Sequence, residues 1–146
     1  FIKGAHVGGN SAVQAKAASG ELQKMLSLAT PPGVVRSKGF FWLACVPAMA
    51  GQWSQAGAVA RHGPAGYWWA AVAPEQWPDD PESVALIRSK WDEQVGDARQ
   101  ELVLIGMQMD QSALCAALDA CLLNDEEMAQ GPAVWETWPN PFEGWE

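Results

Sequence analysis

The period of the hydrophobic positions changes along this chain, and each change marks a predicted element. Residues 34–44, which read VVRSKGFFWLA, are rich in β-branched and aromatic side chains and favour a strand. Residues 52–61 and 66–73 have a similar composition, and Gly51 and an HGPAG turn at residues 62–66 separate the three segments. These separations are short enough for hairpins, so the sequence predicts a three-stranded antiparallel meander.

A helix is predicted after the meander. Asp80 can cap its first turn, and Pro81 suits its first position because proline has no backbone N–H to leave unpaired. Val84, Ile87 and Trp91 then fall on one face of a helix with 3.6 residues per turn. The pattern predicts an amphipathic helix that crosses over the sheet.

The second half of the chain predicts another strand and two more helices. Residues 102–105 are continuously apolar, which favours a strand in the centre of a sheet. Asp110 can cap a helix with a regular apolar face, formed by Leu114, Ala117, Leu118, Cys121 and Leu122. Asn124 and Glu127 have the spacing of a capping box for a short helix that Gly131 would end.

The two ends of the chain are less regular. Residues 1–5 predict a short strand, and residues 11–28 a helix that the proline-rich residues 30–33 would end. Residues 135–145 are aromatic but rich in proline, so we expect an ordered, extended strap against the body. The first residues resemble neither an initiator nor a signal peptide, and we expect the chain to be a fragment of a longer protein.

These elements predict an α+β fold. We expect an antiparallel or mixed sheet of four to five strands, with helices mainly packed on one face. The predicted organisation is a single globular domain, with residues 1–32 as an N-terminal strand and helical lead-in of uncertain origin and residues 33–146 as the main α+β domain.

Composition and charge exclude several classes of function. The 146 residues include nine tryptophans and carry a formal charge of -8, which disfavours binding to nucleic acid. No apolar run reaches the length of roughly 20 residues that a membrane-spanning helix needs. Three cysteines are an odd count that fits a reducing compartment, so we expect a cytoplasmic protein in which Cys45, Cys115 and Cys121 are small apolar packing residues.

Motifs for catalysis, cofactors and metals do not occur. The chain has neither a GxxxxGK[ST] phosphate loop nor a GxSxG nucleophile elbow, and His6 and His62 do not lie at metal-ligand spacing with a cysteine. The acidic runs at residues 79–80 and 125–127 coincide with predicted helix starts, where negative charge stabilises the helix dipole. We therefore predict no catalytic, cofactor-binding or metal-binding residue in this chain.

Cations and aromatic residues occur together near the predicted strands. The candidate partner-binding residues are Arg36, Lys38, Trp53, Arg61, Trp68 and Arg99. Alternation along a strand would project Arg36, Lys38, Phe40 and Trp42 to one face and Ser37, Gly39 and Phe41 to the other. Two interpretations remain open. Either the Arg and Lys stems only cover the edge of the sheet, with Arg99 or Arg36 paired with Glu101 across strands, or one sheet face is a binding surface.

Several motifs in order resemble a known family. VVRSKGFFWLA, QWSQAG, GYWWAAV, WDEQVGDARQELVLIG and LDACLLNDEEM, followed by NPFEGW, are together similar to the C-terminal domain of the CobW-type P-loop GTPases. That family includes metallochaperones and cobalamin-synthesis proteins. The similarity extends from about Gly33 to Trp145.

The resemblance implies that this chain works together with a second domain of the same polypeptide. It implies an N-terminal GTPase domain in the same polypeptide, which would bind GTP and Mg and handle a transition metal such as Zn or Co. This chain would then be a noncatalytic interaction domain that docks the GTPase domain, a client metalloprotein, or both. Histidine-rich segments, which many relatives carry, are absent here, so we do not expect this domain to store metal.

Two other hypotheses remain. In the first, the chain is a small anionic-ligand-binding or enzymatic module in which Arg36, Lys38 and Arg99 receive the anion. In the second, the domain only stabilises the full-length protein. A concave pocket that joins the three cations would favour the first of these, whereas dispersed cations on a flat face would favour docking.

Overall fold

Five strands form one antiparallel sheet. The computed structural model describes residues 3–7, 32–142, 144 and 145. The strands are β1 (Lys3–Val7), β2 (Val34–Trp42), β3 (Met49–Ala56), β4 (Val59–Tyr67) and β5 (Glu101–Gly106). Their order is β1-β5-β2-β3-β4, and each neighbouring pair is antiparallel. The predicted α+β class is confirmed, and the predicted strand at residues 102–105 is an interior strand between β1 and β2.

The first three of the described helices begin directly after the capping residues that the sequence predicts. They are α1 (Pro81–Ser89), α2 (Gln111–Asp119), α3 (Asp125–Gln130) and α4 (Pro132–Trp135). Asp80 caps α1 by accepting the N–H of Ser83 at 2.8 Å, and this hydrogen bond lowers the pKa of the Asp80 carboxyl. Asp110 caps α2 in the same way, and Asn124 forms the predicted capping box of α3. Trp91 was predicted on the first helix but follows its end.

The strands of the β3–β4 hairpin begin and end at residues other than those predicted for the meander. The predicted strand 52–61 spans two strands, because the chain turns at residues 57–58. Gly57 has φ of +57°, which the first position of a two-residue hairpin turn favours and which most side chains resist. The predicted turn at residues 62–66 lies instead inside β4. Pro64 is tolerated there because β4 is an edge strand, which does not need every backbone N–H for pairing.

The predicted strand 66–73 is also wrong. Only its first two residues belong to β4, and Trp69–Ala71 forms a 3-10 turn. The reason is the Asp97 carboxylate, which accepts the backbone N–H groups of Trp69 at 3.0 Å and Ala70 at 2.9 Å. These bonds satisfy the backbone donors that a strand would have used in a ladder.

One face of the sheet, which we call the covered face, carries the main core. Phe41, Trp53, Leu102 and Leu104 project from the strands into a cluster that also contains Leu114 and Leu118 of α2 and Phe142 and Trp145 of the C-terminal segment. Every second residue of β5 is buried, as expected for a strand with one face in the core. The amphipathic face predicted for α2 is therefore the face that packs on the sheet.

The C-terminal segment is folded and not an extended strap. It begins with the end of α4, and further along Asn140 holds a tight loop, accepting the N–H of Phe142 and donating to the carbonyl of Trp145, both at 2.9 Å. The rings of Phe142 and Trp145 stack on Phe41, with centroids 5.4 and 5.6 Å away. The segment lies against the body, as predicted, but as a turn that closes the core.

A second, smaller cluster lies at one end of the opposite sheet face. It contains Trp42, Ala44, Ala50, Trp68, Ala98, Leu123 and Trp135. Trp135 of α4 meets Trp42 edge to face at 6.1 Å, so the last two helices cover this end of the sheet. The rest of that face stays uncovered in the part of the chain that the structure describes.

Two expectations concern the N-terminal part of the chain. The predicted helix at residues 11–28 lies outside the described residues. Where the N-terminal lead-in ends also stays a prediction, although β1 pairs with β5 in the same sheet as the other strands. Among the described residues, every helix falls short of the length and apolarity that a membrane crossing requires.

Candidate interaction surface

The sheet face opposite α2 is exposed over its middle, and we call it the open face. Its residues include Arg36, Lys38, Phe40, Gln52, Ser54, Arg61, Glu101, Val103 and Ile105. The alternation predicted for β2 is confirmed, because Ser37 and Phe41 are buried on the covered face whereas Arg36, Lys38 and Phe40 are exposed. Trp42 shares their side but lies under the second cluster. The structure therefore has the exposed sheet face that the interpretation as a binding surface requires.

Three of the predicted cations lie together on the open face. The strand register places Val103, Lys38, Ser54 and Arg61 in one row across β5, β2, β3 and β4. With strands about 4.8 Å apart, the backbones at Lys38 and Arg61 are separated by about 10 Å. Arg36 lies two residues along β2 from Lys38. In the part of the chain that the structure describes, none of these three cations forms an ion pair.

An apolar groove borders this row at the end nearer α1. It has a volume of about 310 Å³, and its lining includes Phe40, Ala50, Tyr67, Leu86, Ile87, Lys90 and Arg99. Phe40, Tyr67 and Leu86 are 42%, 63% and 69% exposed, which is unusual for large apolar side chains that lie next to one another. The groove therefore extends the open face into a concave, apolar region with cations at its border.

Arg99 is fixed by neighbouring groups. Its Nε donates to Glu101 Oε2 at 2.7 Å and its Nη1 donates to the carbonyl of Asp97 at 2.9 Å. The guanidinium also lies 5.9 Å from the ring centroid of Trp68. The predicted Arg99–Glu101 pair is thus present, although it forms along the chain and not between strands. Nε and Nη1 of Arg99 are therefore already engaged.

The two candidate tryptophans are buried. Trp53 is 3% exposed on the covered face, where its Nε1 donates to Ser37 Oγ at 2.8 Å. Ser37 Oγ in turn donates to Gln55 Oε1 at 3.0 Å, so a short buried network fixes the indole. Trp68 is 5% exposed and belongs to the second cluster. The structure therefore buries both indoles: Trp53 faces the covered side of the sheet, whereas Trp68 lies in the wall of the groove.

A second concave region lies beside the second cluster. This aromatic cleft has a volume of about 630 Å³, and its lining includes Trp42, Trp68, Trp91, Met128, Trp135, Glu93 and Glu136. The Nε1 of Trp68 is buried without a hydrogen-bond partner. The cleft lies between the turn that follows β4 and the last two helices, at the end of the sheet that the helices cover.

The ionisable side chains do not form a metal centre in the described part of the chain, where His, Cys, Asp and Glu nowhere cluster in threes. Cys121 is buried, Cys45 and Cys115 are half-buried, and none of the three forms a disulfide. Burial raises the pKa of the Cys45 thiol, which keeps it protonated at neutral pH. Cys45 and Cys121 pack in or against the main core.

Comparison with known families identifies the domain. The family model described as the cobalamin synthesis protein cobW C-terminal domain matches residues 12–122, well over half of the chain. The chain belongs to this family. The resemblance found in the motifs is confirmed, and the match begins inside the predicted N-terminal lead-in.

Relatives of this CobW C-terminal domain are much longer proteins. The chain is 41% identical over 112 residues to a "Zinc-regulated GTPase metalloprotein activator 1" of Dictyostelium discoideum, which covers 76% of this chain and 23% of the relative. It is 33% identical over 114 residues to a zinc chaperone of Mycobacterium tuberculosis, covering 77% of this chain and 28% of that protein. The chain therefore spans about a quarter of the length of these relatives.

Solved structures share the fold of this CobW C-terminal domain. The Zn(II)-bound YjiA GTPase from E. coli and a Zn(II)-bound triple mutant of YjiA superpose with TM-scores of 0.50 and 0.52. In both cases the similarity covers 82% of this chain and 29% of the other, at 13% sequence identity. At that identity the similarity establishes the fold and nothing more.

The sequence did not reveal the groove of the CobW C-terminal domain. Phe40, Tyr67 and Leu86 are far apart in the chain and meet only because α1 lies beside the open face. One signal was available: Leu86 lies next to Ile87 and therefore about 100° off the apolar face of α1. An apolar residue on the polar side of a short helix indicates that this side of the helix also contributes to a contact surface.

Proposed function

We propose that this CobW C-terminal domain is a noncatalytic interaction domain of a GTP-dependent metallochaperone. In this proposal it docks the GTPase domain of its own polypeptide, a client metalloprotein, or both. The open face is the observation that supports it, because cations and large apolar side chains stay exposed beside each other there. The relatives support the parentage, since one is named a zinc-regulated GTPase and another a zinc chaperone.

The proposal divides the chemistry between two parts of the parent protein. GTP and Mg would be bound by the part of the polypeptide outside this chain, and the metal handled would be a transition metal such as Zn or Co. Zinc is favoured because both relatives are named for it. A cytoplasmic location is part of the proposal and is supported by three cysteines that form no disulfide.

The hypothesis of a small anionic-ligand module has less support. It needs Arg36, Lys38 and Arg99 to converge on one anion. The groove that Arg99 lines is not lined by Arg36 or Lys38, and the Arg99 guanidinium already binds a carboxylate. Two of the cations lie on the sheet face and the third lies in the groove, an arrangement that favours docking.

Calorimetric titration of this chain into the parent protein truncated before this domain tests the proposal. We expect saturable binding between the two. We expect no saturable signal when the chain alone is titrated with GTP, and no tight stoichiometric binding of zinc. Saturable GTP binding or GTP hydrolysis by the chain alone would contradict the division of chemistry. If the two parts do not bind but removal of the domain lowers the Tm of the parent, the domain only stabilises the protein.

A further inference from the structure

Positive charge is concentrated on one side of this acidic domain. The chain has a formal charge of -8, yet Arg36, Lys38 and Arg61 lie on the open face, and Lys90 and Arg99 line the adjoining groove. Arg88, the remaining cation of residues 32–142, stacks on the indoles of Trp77 and Trp91. Five of the six cations of residues 32–142 therefore lie on the open face or line the adjoining groove. A surface of this kind attracts a negatively charged partner and orients it during association.

Two acidic side chains near these cations, Glu101 and Asp97, are already engaged. Glu101 binds Arg99, and Asp97 accepts two backbone N–H groups of the turn after β4. Within the described residues, neither carboxylate forms an ion pair with Lys38 or Arg61. The cations of this row are available to a carboxylate from outside the domain.

The groove supplies an apolar contact at a fixed distance from this row. Phe40 lines the groove and lies two residues along β2 from Lys38, a separation of about 7 Å. An extended peptide covers that distance with two or three residues. A ligand with an apolar side chain in the groove can therefore place carboxylates over Lys38 and Arg61 at the same time.

We infer that the open face and the groove form one binding site for an acidic peptide segment of a partner protein. An apolar side chain of the segment enters the groove between Phe40 and Leu86, and acidic side chains nearby in the segment pair with Lys38 and Arg61. A nucleic acid is disfavoured because it offers no apolar side chain for the groove, and an anionic membrane is disfavoured because its surface is flat whereas the groove is concave. The inference rests on the proposed docking function and names the surface and the chemistry of its partner.

Fluorescence anisotropy with designed peptides tests this inference. The probe is a labelled 16-residue peptide in which Leu residues are separated by two or three Glu, and the comparison peptide has Lys at each Glu position. We expect the Glu peptide to bind and the Lys peptide not to bind. We also expect the affinity for the Glu peptide to fall as salt is added, because exposed charges are screened.

Two pairs of variants locate the site. K38Q/R61Q removes two cations of the open face, whereas Q111E/A116E makes the same change in net charge at exposed positions of α2, on the other side of the sheet. We expect the first to weaken binding about tenfold and the second to leave it unchanged. Leu86→Gln removes an apolar side chain of the groove, and Met107→Gln is its control at an exposed apolar residue outside the groove. Only Leu86→Gln is expected to weaken binding.

Each outcome separates this inference from the broader docking function. If the Glu and Lys peptides bind equally, or if K38Q/R61Q and Q111E/A116E behave alike, the inference is wrong. If the truncated parent binds the domain but the Glu peptide does not, docking stands and the acidic-segment site fails. Tighter binding of phosphatidylserine vesicles or single-stranded DNA to the same residues would also overturn it. So would self-association that K38Q/R61Q abolishes in sedimentation velocity, because the occupant would then be a second copy of this chain.

Discussion

Gly51 of β3 lies where aromatic rings of the strands and of the C-terminal segment meet. A Cβ at this position would contact the ring of Phe41 and would lie 2.7 Å from the Trp145 ring. Phe41 is fully buried and Trp145 nearly so, so neither ring has free space into which it can move. Gly51 therefore allows the C-terminal segment to close the main core.

At the residue scale, we predict that Gly51→Ala lowers the free energy of unfolding by about 1–3 kcal/mol, as is typical when a packed core receives an extra carbon. Urea denaturation followed by far-UV circular dichroism measures this change. Gly63→Ala in β4 is the matched control, because a Cβ there meets only Gln52 Nε2 at 3.9 Å. We expect the control to change the free energy by no more than about 0.5 kcal/mol. Equal effects of both substitutions would show that the rings accommodate the new carbon.

Sequence patterns predicted the structural role of some residues of this domain well and that of others poorly. Asp80, Asp110 and Asn124 were correct as caps because capping depends on a few neighbouring residues. The burial of Trp53 was not predictable in the same way. Its side chain faces the core because of the register between β2 and β3, which is a long-range property.

The α3 helix links a local cap to the packing of the second cluster. Asn124 accepts the N–H of Glu127 at 2.8 Å, and the Glu127 side chain accepts the N–H of Asn124 at 2.9 Å. The carbonyl of Glu127 then accepts the indole N–H of Trp135 at 2.7 Å. Trp135 in turn packs on Trp42 of the sheet. The capping box therefore stabilises both the start of a short helix and the position of a core indole.

At the element scale, we predict that Asn124→Ala destabilises the domain by about 0.5–2 kcal/mol, because the first turn of α3 loses the acceptor for one backbone N–H. Asn124→Ser keeps an acceptor at that position and is expected to lie within a few tenths of a kcal/mol of the parent. Thermal unfolding of the three proteins measures the difference. If the Ser variant is as unstable as the Ala variant, the effect is not due to capping.

The boundaries of β3 and β4 show why the elements were only partly predictable. Composition identified strand-forming residues from 52 to 73 but not the place of the turn, because Gly57 and the 62–66 segment both contain turn-forming residues. The structure uses Gly57, and the edge position of β4 then accommodates Pro64. Which turn forms depends on the partner strands, which local composition does not specify.

At the scale of the whole molecule, the open face and its groove depend on the strand order. The order β1-β5-β2-β3-β4 brings Lys38, Ser54 and Arg61 into one row, although they come from three strands. The alternation in β2 could predict which side Lys38 takes, but not which residues lie beside it. The candidate site was therefore predictable as a set of cations on one face and not as a surface with a defined shape.

Residues 41–44 join the two core clusters. Phe41 and Leu43 belong to the main cluster and Trp42 and Ala44 to the second, so alternate side chains of one short segment enter both. The segment is buried from 41 to 44 and cannot leave one cluster without disturbing the other. We therefore expect the clusters to unfold as one cooperative unit, as small single domains usually do.

Labelling with 5-fluorotryptophan tests this prediction, because indoles of both clusters report separately by ¹⁹F NMR. The main cluster contains Trp53 and Trp145, and the second contains Trp42, Trp68 and Trp135. We predict that the native resonances of both groups disappear at the same urea concentration. Gly51→Ala, which acts only on the main cluster, is expected to lower the midpoint of both groups equally because unfolding of either cluster removes the support of the other. If the second cluster kept its midpoint while the main cluster lost stability, the two clusters would be independent, and the cation row and the aromatic cleft would lie on separately folding parts of the domain.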